Sequence, residues 1–555
     1  MIRKSFNVTV MALCFCALTN KINAQQFGGG DGSPADPYQI ASPEHLAQLA
    51  GYVNTKNTNY NNKHYILTAD IDLSIYDSNN TAFNNGKGWK PIGCNLGGAN
   101  YNGFEGNFNG NNKQITNLYI NEDSIYFAGL FGVVWGGTIK NLCVSAINIK
   151  AKNYVGGVAG YVVGGSVITN CCSTGEISGG DDLGGVAGSI SNSAVTNCYS
   201  TSKVSGYFEV GGVVGSVWYN SRLTNCYSIG EVSGMTAIGG VAGNVYSNNI
   251  ASNCAALNKS VKATNTAISR AGGRITRAKQ TDAVLSNNIA FNRMLNRVGN
   301  TTWSEKGLDQ ADGGDITAQQ IEENGSLLSL FVPSDSTWTV VNGYLPGLFG
   351  KVVEIPLHLL YNAPPAVIVQ QPQDATVTVG TAHTLSVAAT AFEGTEGSLS
   401  YRWYSNSTQT NTGGSAIAEA TNSTYQPPTT DEGEFYYYVE VIYYMEDNGN
   451  GGNLMSIAAS RAVRFTVQED GTGIEQWEME NGKWKIYPNP VKSQLIIENE
   501  EGKIESVEIY DMIGKVVTNF QLSTFNSQLN IDVSHLAKGV YFLKVDGKMV
   551  RFVKE

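Results

Sequence analysis

One six-residue phrase recurs four times in the first half of the chain and constrains its fold more than any other feature. The phrase is an aliphatic residue followed by Gly-Gly-Val-Ala/Val-Gly, and its copies begin at Val155, Leu183, Val210 and Ile238, after a looser copy at Phe127. The second glycine falls at 129, 157, 185, 212 and 240, so the steps are 28, 28, 27 and 28 residues. A fixed period of this length is typical of a repeat architecture in which each unit packs against its neighbours.

Asparagine keeps the same period, at 117, 141, 170, 197, 225 and 253, with Leu or Cys directly after it and mostly aliphatic residues two places before it. Two apolar positions three apart break the alternation of a strand, so the strand must bend there, and asparagine tolerates a left-handed bend. We therefore predict an all-β fold: a parallel β-solenoid with inward columns of Val, Ile, Leu and Cys. A short helix that begins after Ser42 is expected to cap the first coil.

The repeated phrases resemble GLUG motifs, which occur in many secreted proteins of Bacteroidetes and in immunoglobulin-A1-specific metallopeptidases. The resemblance runs from about Gly28 to Gly350, and a valine stands where the motif usually has leucine. It implies a secreted protein, and it agrees with the β-solenoid that the periodicity predicts.

Beyond Pro364-Pro365 the pattern changes to separate strands that resemble an immunoglobulin-like sandwich, with Trp403 as its buried strand tryptophan. The last segment closely resembles the type A C-terminal sorting domain of the type IX secretion system, through Tyr487, Pro488, Asn489, Pro490, Tyr510, Asp511, Gly514, Lys515, Gly539 and Tyr541. The predicted domains are a signal peptide at 1–24, a GLUG-repeat solenoid at 25–360, an immunoglobulin-like domain at 363–468, a linker at 469–485 and a small β-sandwich sorting domain at 486–555.

Met1–Ala24 has the basic start, apolar core and small-residue end of a signal peptide, which predicts cleavage between Ala24 and Gln25. No other long apolar run exists, so we expect no transmembrane segment in the mature chain. The net charge of −11 argues against nucleic acid as a partner. The resemblance to sorting domains implies as partners the type IX secretion machinery and its sortase, and either attachment to surface lipopolysaccharide or release.

Few residues offer catalytic or metal-binding chemistry. None of the five histidines lies between 65 and 357, which excludes a histidine triad or a histidine-ligated zinc site in the repeats, and the sequence indicates no cofactor. Asp70 and Asp72 alternate as calcium ligands can, which is weak evidence by itself. The seven cysteines beyond the signal peptide are expected to be buried thiols, although neighbouring coils would allow some bridges.

Carboxylates and tyrosines are the other candidates. Asp181-Asp182 lies at a corner, but adjacent carboxylates usually point apart, whereas Glu176, Lys203 and Glu231 would form a charge ladder from coil to coil. Tyr119, Tyr199 and Tyr227 each stand two places after a repeated asparagine. They would either stack on sugar rings or cover apolar surface.

The sequence thus favours a non-enzymatic secreted or cell-surface protein, an adhesin or a glycan- or matrix-binding rod with an unknown ligand. The alternative is a β-helix polysaccharide hydrolase or lyase, which would need two or three carboxylates that converge in one groove.

Overall fold

The computed structural model describes residues 27–93, 102–267, 271–332, 337–392, 396–469, 477–479, 484–499, 504–521 and 528–555. The predicted signal peptide, its cleavage site at Ala24 and Gln25, and Cys94 lie outside these residues. The chain divides into two compact units. One unit ends at Ala363 and also includes Met445–Leu454, and the other consists of Pro364–Tyr444 and Met455–Glu555.

The first unit is a parallel β-solenoid of about ten turns over residues 38–316, as the repeat predicts. Its longest sheet contains Tyr38–Ile40, His64–Leu67, Ile71–Asp72, Asn107–Thr116, Tyr119–Glu122, Thr138–Ala151, Val167–Ser178, Ala194–Thr196, Tyr199–Ser200, Lys203–Ser205, Arg222–Thr224, Tyr227–Ser228, Val232–Gly234, Ile250–Ser252, Ala255–Ala256, Val261–Ala263, Val284–Ser286, Ile289–Phe291 and Gly314–Ile316.

Two shorter parallel sheets come from the two sides of the repeated phrase. The first contains Val155–Gly156, Asp181–Gly184, Phe208–Gly211, Thr236–Gly239 and Gly272–Gly273. The second contains Phe131–Trp135, Ala159–Val163, Ala187–Ser191, Val214–Trp218 and Ala242–Val245. Glycine is required where they meet, because a Cβ built on Gly157 would lie 2.7 Å from the carbonyl oxygen of Gly185 in the next coil.

Aliphatic columns fill the rod, as predicted. The valine after the Gly-Gly pair is fully buried in all four copies of the phrase, at Val158, Val186, Val213 and Val241. Since each strand hydrogen-bonds to the equivalent strand one repeat away, identical side chains stack directly on one another. Burial of these columns is the stabilisation that no single repeat could obtain alone.

The repeated asparagines occupy left-handed corners, with φ of 53° at Asn170, 53° at Asn197 and 54° at Asn225. Their side chains form a ladder, in which Asn225 Nδ2 donates to Asn197 Oδ1 at 3.1 Å. The prediction that Asn117 belongs to this column of asparagines is wrong. Asn117 belongs to a different corner, because Thr116 pairs with Ser145, after a register shift between Asn109 and Lys113.

Both ends of the repeat array carry additional elements. The helix Pro43–Asn54 has Ser42 as its N-cap and buries Leu46, Leu49, Ala50 and Val53, as the cap prediction requires. After the last coils come the helix Ala318–Glu323, an antiparallel pair of Trp338–Thr339 and Gly347–Leu348, and a 3₁₀ turn at Leu357–Leu359. Two further 3₁₀ turns lie at Ser74–Tyr76 and Asn84–Gly86.

The cysteines realise both alternatives that the sequence leaves open. Cys171, Cys198, Cys226 and Cys254 are buried free thiols in one column. Cys143 and Cys172 are paired residues of adjacent coils and form a disulfide, with their Cα atoms 4.5 Å apart. Burial raises the pKa of the four free thiols, so they remain protonated and pack as small apolar groups.

The second unit consists of two modules whose strands pair mostly antiparallel, although Ala375–Thr378 and Val463–Gln468 form a parallel pair. The module around fully buried Trp403 contains Val367–Gln370, Ala375–Thr378, Leu385–Ser386, Ala388–Thr390, Gly397–Asn406, Ser415–Ala416, Thr424–Tyr425, Gly433–Met445, Met455–Ala459 and Val463–Gln468. The last module has two four-stranded sheets. They contain Trp477–Met479, Trp484–Tyr487, Gln494–Asn499 and Gln528–Asp532, and Ser506–Tyr510, Val516–Gln521, Gly539–Val545 and Lys548–Lys554.

Candidate functional site

The structure separates the three tyrosines that the sequence placed in one column. Tyr199 pairs with Tyr227, and the two rings stack with centroids 5.1 Å apart and planes 6° from parallel. Tyr119 instead pairs with Asn148, which pairs in turn with Glu176, so it lies in the column of the charge ladder. Tyr119 lies in this other column because Asn117, two residues before it, is out of register with the repeated asparagines.

The segment that follows the repeats covers the Tyr199–Tyr227 pair. Tyr227 is fully buried and its hydroxyl donates to the Pro346 carbonyl oxygen at 2.5 Å. Phe331 and Trp338 pack edge-on and tilted against its ring. Tyr227 therefore presents no ring face to a sugar, and the pair has the second role considered from the sequence, which is to cover apolar surface.

Two carboxyl groups lie at a bend within adjacent strands of the first short sheet, Asp181–Gly184 and Phe208–Gly211. Asp182 and Glu209, here called the carboxyl pair, stand at equivalent places in adjacent coils, because Leu183 pairs with Val210. Both backbones are left-handed, with φ of 60° and 54°. An aspartate tolerates this conformation better than a glutamate does. Strain of this kind persists only where the surrounding structure imposes it.

Polar side chains from the next coils contact the carboxyl pair. The Ser216 hydroxyl donates to Asp182 and also lies 2.8 Å from the Ser189 hydroxyl. The Tyr246 hydroxyl donates to Glu209 Oε1, and Asn244 Nδ2 donates to the same oxygen at 3.3 Å. Asp182, Ser216 and Asn244 are all at least nine-tenths buried, so these hydrogen bonds form largely out of contact with water.

The electrostatics of the cluster are unfavourable to negative charge. Burial, followed by the negative charge of Glu209, raises the pKa of the Asp182 carboxyl well above its ordinary range, and Asp181 adds to the effect. Burial and Glu209 likewise raise the pKa of the Tyr246 phenol. Among the described residues, the charged groups that shift the pKa of Asp182 are Glu209 and Asp181, and both are acidic.

Glu209 was missed in the sequence. Asp182 was considered with Asp181 as adjacent residues, and the two do differ in environment: Asp181 is half-buried and accepts from Asn153 Nδ2 at 3.3 Å. Comparison of equivalent positions in adjacent coils would have found Glu209, since it follows Asp182 by one repeat step. Alignment of the repeats on Gly-Gly would have placed the two carboxyl groups on top of each other.

Exposed and half-exposed aromatic rings lie where the strands of the second short sheet end. This aromatic edge consists of Trp135, Trp218, Tyr219 and Tyr246. Trp135 and Tyr219 are 47% and 70% exposed. Trp218 stacks on Tyr246 with centroids 3.5 Å apart, and on Tyr219 with centroids 5.9 Å apart. Trp135 and Trp218 occupy one column three coils apart, or about 14 Å along the rod at the usual strand spacing.

The other charged candidates have structural partners. Glu176 Oε1 lies 3.9 Å from Lys203 Nζ on the exposed face, which realises the first half of the predicted ladder. Asp70 accepts from the Gln114 amide at 2.9 Å, and Asp72 accepts from Asn117 Nδ2 at 2.8 Å. These two aspartates therefore fix the turns of the first coils.

The residues of the sorting-domain motifs fall in two places in the last module. Pro488, Asn489 and Pro490 line a surface cavity of about 340 Å³ together with Glu555. Asn489 Oδ1 accepts from the Val553 amide at 2.8 Å, and the Tyr487 hydroxyl bonds to Glu498. The opening motif and the last strand thus form one surface.

The remaining motif residues form turns and strand contacts elsewhere in that module. Asp511 Oδ1 accepts from the Lys515 amide at 2.9 Å across a turn in which Gly514 has φ of 81°. The Tyr510 hydroxyl donates to Glu508 at 2.8 Å. Tyr541, two residues after Gly539, stacks on Phe552 with centroids 5.7 Å apart.

Two family models match the chain. The GLUG motif matches residues 206–233, and the secretion system C-terminal sorting domain matches residues 485–555. The chain thus carries the two features that the sequence motifs indicated. In the described residues, no helix is long and apolar enough to cross a membrane.

Two curated relatives match part of the solenoid-containing chain. A putative Gly-rich membrane protein of Evansella cellulosilytica is 31% identical over 149 residues, which are 25% of this chain and 15% of that protein. Halomucin of Haloquadratum walsbyi is 34% identical over 127 residues, which are 23% of this chain and 1% of halomucin. The chain therefore spans only a small part of the length of either relative.

Solved structures show distant likeness. The titin domains Z1Z2 in complex with telethonin match with 12% identity and a TM-score of 0.15, over 35% of this chain and 96% of that one. The BSP domain of a biofilm-associated protein matches with 18% identity and a TM-score of 0.11, over 33% of this chain and 28% of that one.

Proposed function

We propose that this GLUG-motif protein, which its sorting domain directs through the type IX secretion system to the cell surface or the medium, is a non-enzymatic adhesive rod. The solenoid would present a binding face, and the immunoglobulin-like module would act as a spacer or a second adhesive unit. The ligand class that we propose is a glycan or a glycan-bearing matrix protein.

The aromatic edge is the observation that carries this proposal. Exposed indole and phenol rings are costly to leave in water, and their flat faces suit the apolar faces of sugar rings. Trp218 is held by its stack on Tyr246, so the platform is ordered before a ligand arrives. The repeat holds Trp135 in the same column, which allows an extended chain to contact both places.

An array of glycans and matrix proteins tests the proposal. Binding of the purified chain to at least one glycan class is expected, and Trp135→Ala or Tyr219→Ala should weaken it by roughly 2- to 10-fold per ring. Tyr207→Ala is the matched control, because Tyr207 is 51% exposed but lies outside the aromatic edge. Equal losses in all three variants, or no binding to any glycan, would contradict the proposal.

Export supplies a second test. We propose that the sortase removes the module at 486–555 and that the rest is attached to surface lipopolysaccharide or released. The module has its own buried core, centred on Leu495, Ile497, Val507 and Leu543. A chain truncated after Glu480 should fold in a heterologous cytoplasm yet remain in the periplasm of its native host. Surface protein that retains Lys554-Glu555 would disprove removal.

A polysaccharide hydrolase or lyase is the second candidate, and the carboxyl pair is the observation in its favour. Glycoside hydrolases hold their two carboxyl groups roughly 5–10 Å apart on either side of the scissile bond. Asp182 and Glu209 instead interact directly, and Asp182 is only 9% exposed. A sugar ring would not fit between them. Cleavage of any member of a polysaccharide panel, lost in Glu209→Gln, would favour the enzyme over the adhesive rod.

A further inference from the structure

A surface cavity lies beside the last coils of the solenoid, where the aliphatic column of the repeated phrase is interrupted. This column consists of fully buried side chains, at Val155, Leu183, Val210 and Ile238. Gly272 pairs with Ile238 and takes the next place in the column, so the following coil has no side chain there. A Cβ built on Gly272 would lie 3.4 Å from the Ala263 Cβ and 3.6 Å from the Ile238 Cβ, so it would enter an apolar space.

The cavity has a volume of about 330 Å³, which is at the small end of the range for ligand pockets. Its apolar lining comes from buried side chains of the coils, at Val261, Ala263 and Ala271. The half-buried indole of Trp303 lines the cavity as well, and its Nε1 donates to the Met294 carbonyl oxygen at 3.0 Å. An apolar hollow beside a fixed indole suits a small ligand that has one apolar face.

Polar side chains of one loop complete the lining, at Asn296, Arg297, Asn300, Thr302 and Ser304. Asn296 holds the loop together, because its Oδ1 accepts from the Val298 amide at 3.0 Å and its Nδ2 donates to the Thr302 carbonyl oxygen at 2.9 Å. Arg297 Nη1 donates to the Asn265 carbonyl oxygen at 3.1 Å, which ties the guanidinium to the preceding coil. The polar groups are therefore in place before a ligand arrives, and this lowers the entropic cost of binding.

The charge of the lining selects the sign of the ligand. Among the described residues that line the cavity, Arg297 is the one charged side chain, although the chain as a whole is acidic. A guanidinium presents a planar set of donors that matches a carboxylate, and such charge-assisted hydrogen bonds are stronger than neutral ones. Amide and hydroxyl groups around it can both donate to and accept from hydroxyl groups of a ligand.

We propose that this cavity binds a sugar ring that carries a carboxylate, which is a uronic acid within a polysaccharide or a sialic acid at the end of a glycan. The apolar face of the ring would lie against Trp303, and its carboxylate would accept hydrogen bonds from Arg297. Its hydroxyl groups would bond to Asn300, Thr302 and Ser304. The cavity shares no residue with the aromatic edge, so this site goes beyond the proposed function and does not depend on it.

Ligand-observed NMR titration of the purified chain with three methyl glycosides tests the site. Methyl glucuronide and methyl glucoside have the same ring and differ in the carboxylate, and the methyl glycoside of N-acetylneuraminic acid represents a sialic acid. At least one of the two carboxylated sugars should bind about tenfold more tightly than the glucoside, and the tighter of the two identifies the source. Equal affinity for all three sugars, or no binding of either carboxylated sugar at millimolar concentration, would overturn the proposal.

Gly272→Val is the first variant, because it continues the aliphatic column and fills the cavity from below. The backbone of Gly272 is not left-handed, so a side chain is allowed there, although its Cβ would lie 3.2 Å from the Ile238 carbonyl oxygen and requires a small shift. The variant should bind none of the three sugars, while its Tm, measured by circular dichroism, stays the same or rises. Full affinity in folded Gly272→Val would place the ligand elsewhere and overturn the proposal.

Arg297→Gln tests the role of the guanidinium and does not alter the packing of the coils. It should reduce the affinity for the carboxylated sugar by about tenfold and leave the affinity for methyl glucoside unchanged, so the preference for the carboxylate disappears. Arg222→Gln is the matched control, because Arg222 is an exposed arginine on the longest sheet and does not line the cavity. A preference that survives in Arg297→Gln, or an equal loss in Arg222→Gln, would overturn the assignment of the carboxylate to Arg297.

Discussion

Two columns of left-handed corner residues run along the same rod and meet the same backbone demand in different ways. At one corner each coil has asparagine, at Asn170, Asn197, Asn225 and Asn253, with φ between 53° and 54°. At the other corner the residue differs in every coil: Tyr154, Asp182, Glu209 and Ala237, with φ between 54° and 60°.

The two columns differ in where their side chains form hydrogen bonds. The asparagine column bonds to itself in pairs of adjacent coils, as Asn225 does to Asn197 and Asn170 does to Asn141. The second column bonds outward, from Asp182 to Ser216 and from Glu209 to Asn244 and Tyr246. The uniform column stabilises the rod, whereas the variable column places a carboxyl group with a raised pKa in a buried position.

The largest expected effect concerns the uniform inward columns that both corners support. Val213→Asp places an unpaired charge in a fully buried stack and should lower the free energy of unfolding by on the order of 3–5 kcal/mol, enough to unfold the rod. Thermal denaturation followed by circular dichroism measures this. Tyr219→Asp, at an exposed position, is the matched control. A normal Tm in Val213→Asp would contradict the conclusion that Val213 points into the core of the rod.

The next effect tests burial of an ionisable group outside the corner columns. Burial lowers the pKa of His358 to about 4, and its Nε2 lies 2.8 Å from the Leu257 carbonyl oxygen, with Lys259 and Glu231 as charged neighbours. The unfolded chain takes up a proton near pH 6.5, whereas the folded chain does so only near pH 4. Stability is therefore unaffected above pH 6.5 and is lost as the pH falls from 6.5 toward 4.

Urea denaturation at pH 7 and at pH 4.5 measures this loss, which should be about 2–3 kcal/mol from His358. His358→Gln keeps a donor for Leu257 but cannot be protonated, so the variant should lose less stability between the two pH values. If both proteins lose the same amount, the acid sensitivity comes from other groups.

Substitutions at the two corners should have opposite signs. Asn197→Ala removes a ladder bond and forces an alanine into a left-handed corner, which should destabilise the rod by about 1–2 kcal/mol. Asp182→Asn replaces a carboxyl group, whose pKa burial and Glu209 raise, with a neutral amide of nearly the same shape that needs no proton to be buried. At pH 7 it should stabilise the rod by about 1–2 kcal/mol. Chemical denaturation of both variants decides whether the second corner is under electrostatic strain.

The smallest effect is expected on the exposed charge ladder. Lys203→Ala removes the 3.9 Å contact with Glu176, and both side chains are more than half exposed. The free energy of unfolding should fall by only about 0.2–0.5 kcal/mol, and the difference should disappear in high salt. A loss above about 1 kcal/mol would indicate that the lysine stem covers apolar surface as well.

Period and residue type by themselves determined the solenoid, the inward valines, the capping helix after Ser42 and the left-handed asparagine corner. Each of these predictions rests on a local pattern that recurs at a fixed step. A pattern that is ambiguous in one coil can therefore be recognised from its copies in the other coils. The sorting domain at the end of the chain could also be predicted from the sequence, because the residues of each of its motifs are close together in the chain. The prediction failed in the coil of Asn107–Thr116, where a register shift between Asn109 and Lys113 moves Asn117 and Tyr119 to other columns.

Which side chains meet, and which remain exposed, depends on how the coils stack and on what covers them. Tyr227 is buried because residues more than a hundred positions later return to cover it, and Trp218 is supported by Tyr246 in the next coil. Asp182 and Glu209 are one repeat apart in the sequence and become neighbours only when the coils stack. Local sequence patterns therefore do not predict the carboxyl pair. The physical reason is that a periodic sequence determines its own coil, whereas burial and charge depend on what the adjacent coils and the closing segment place against it.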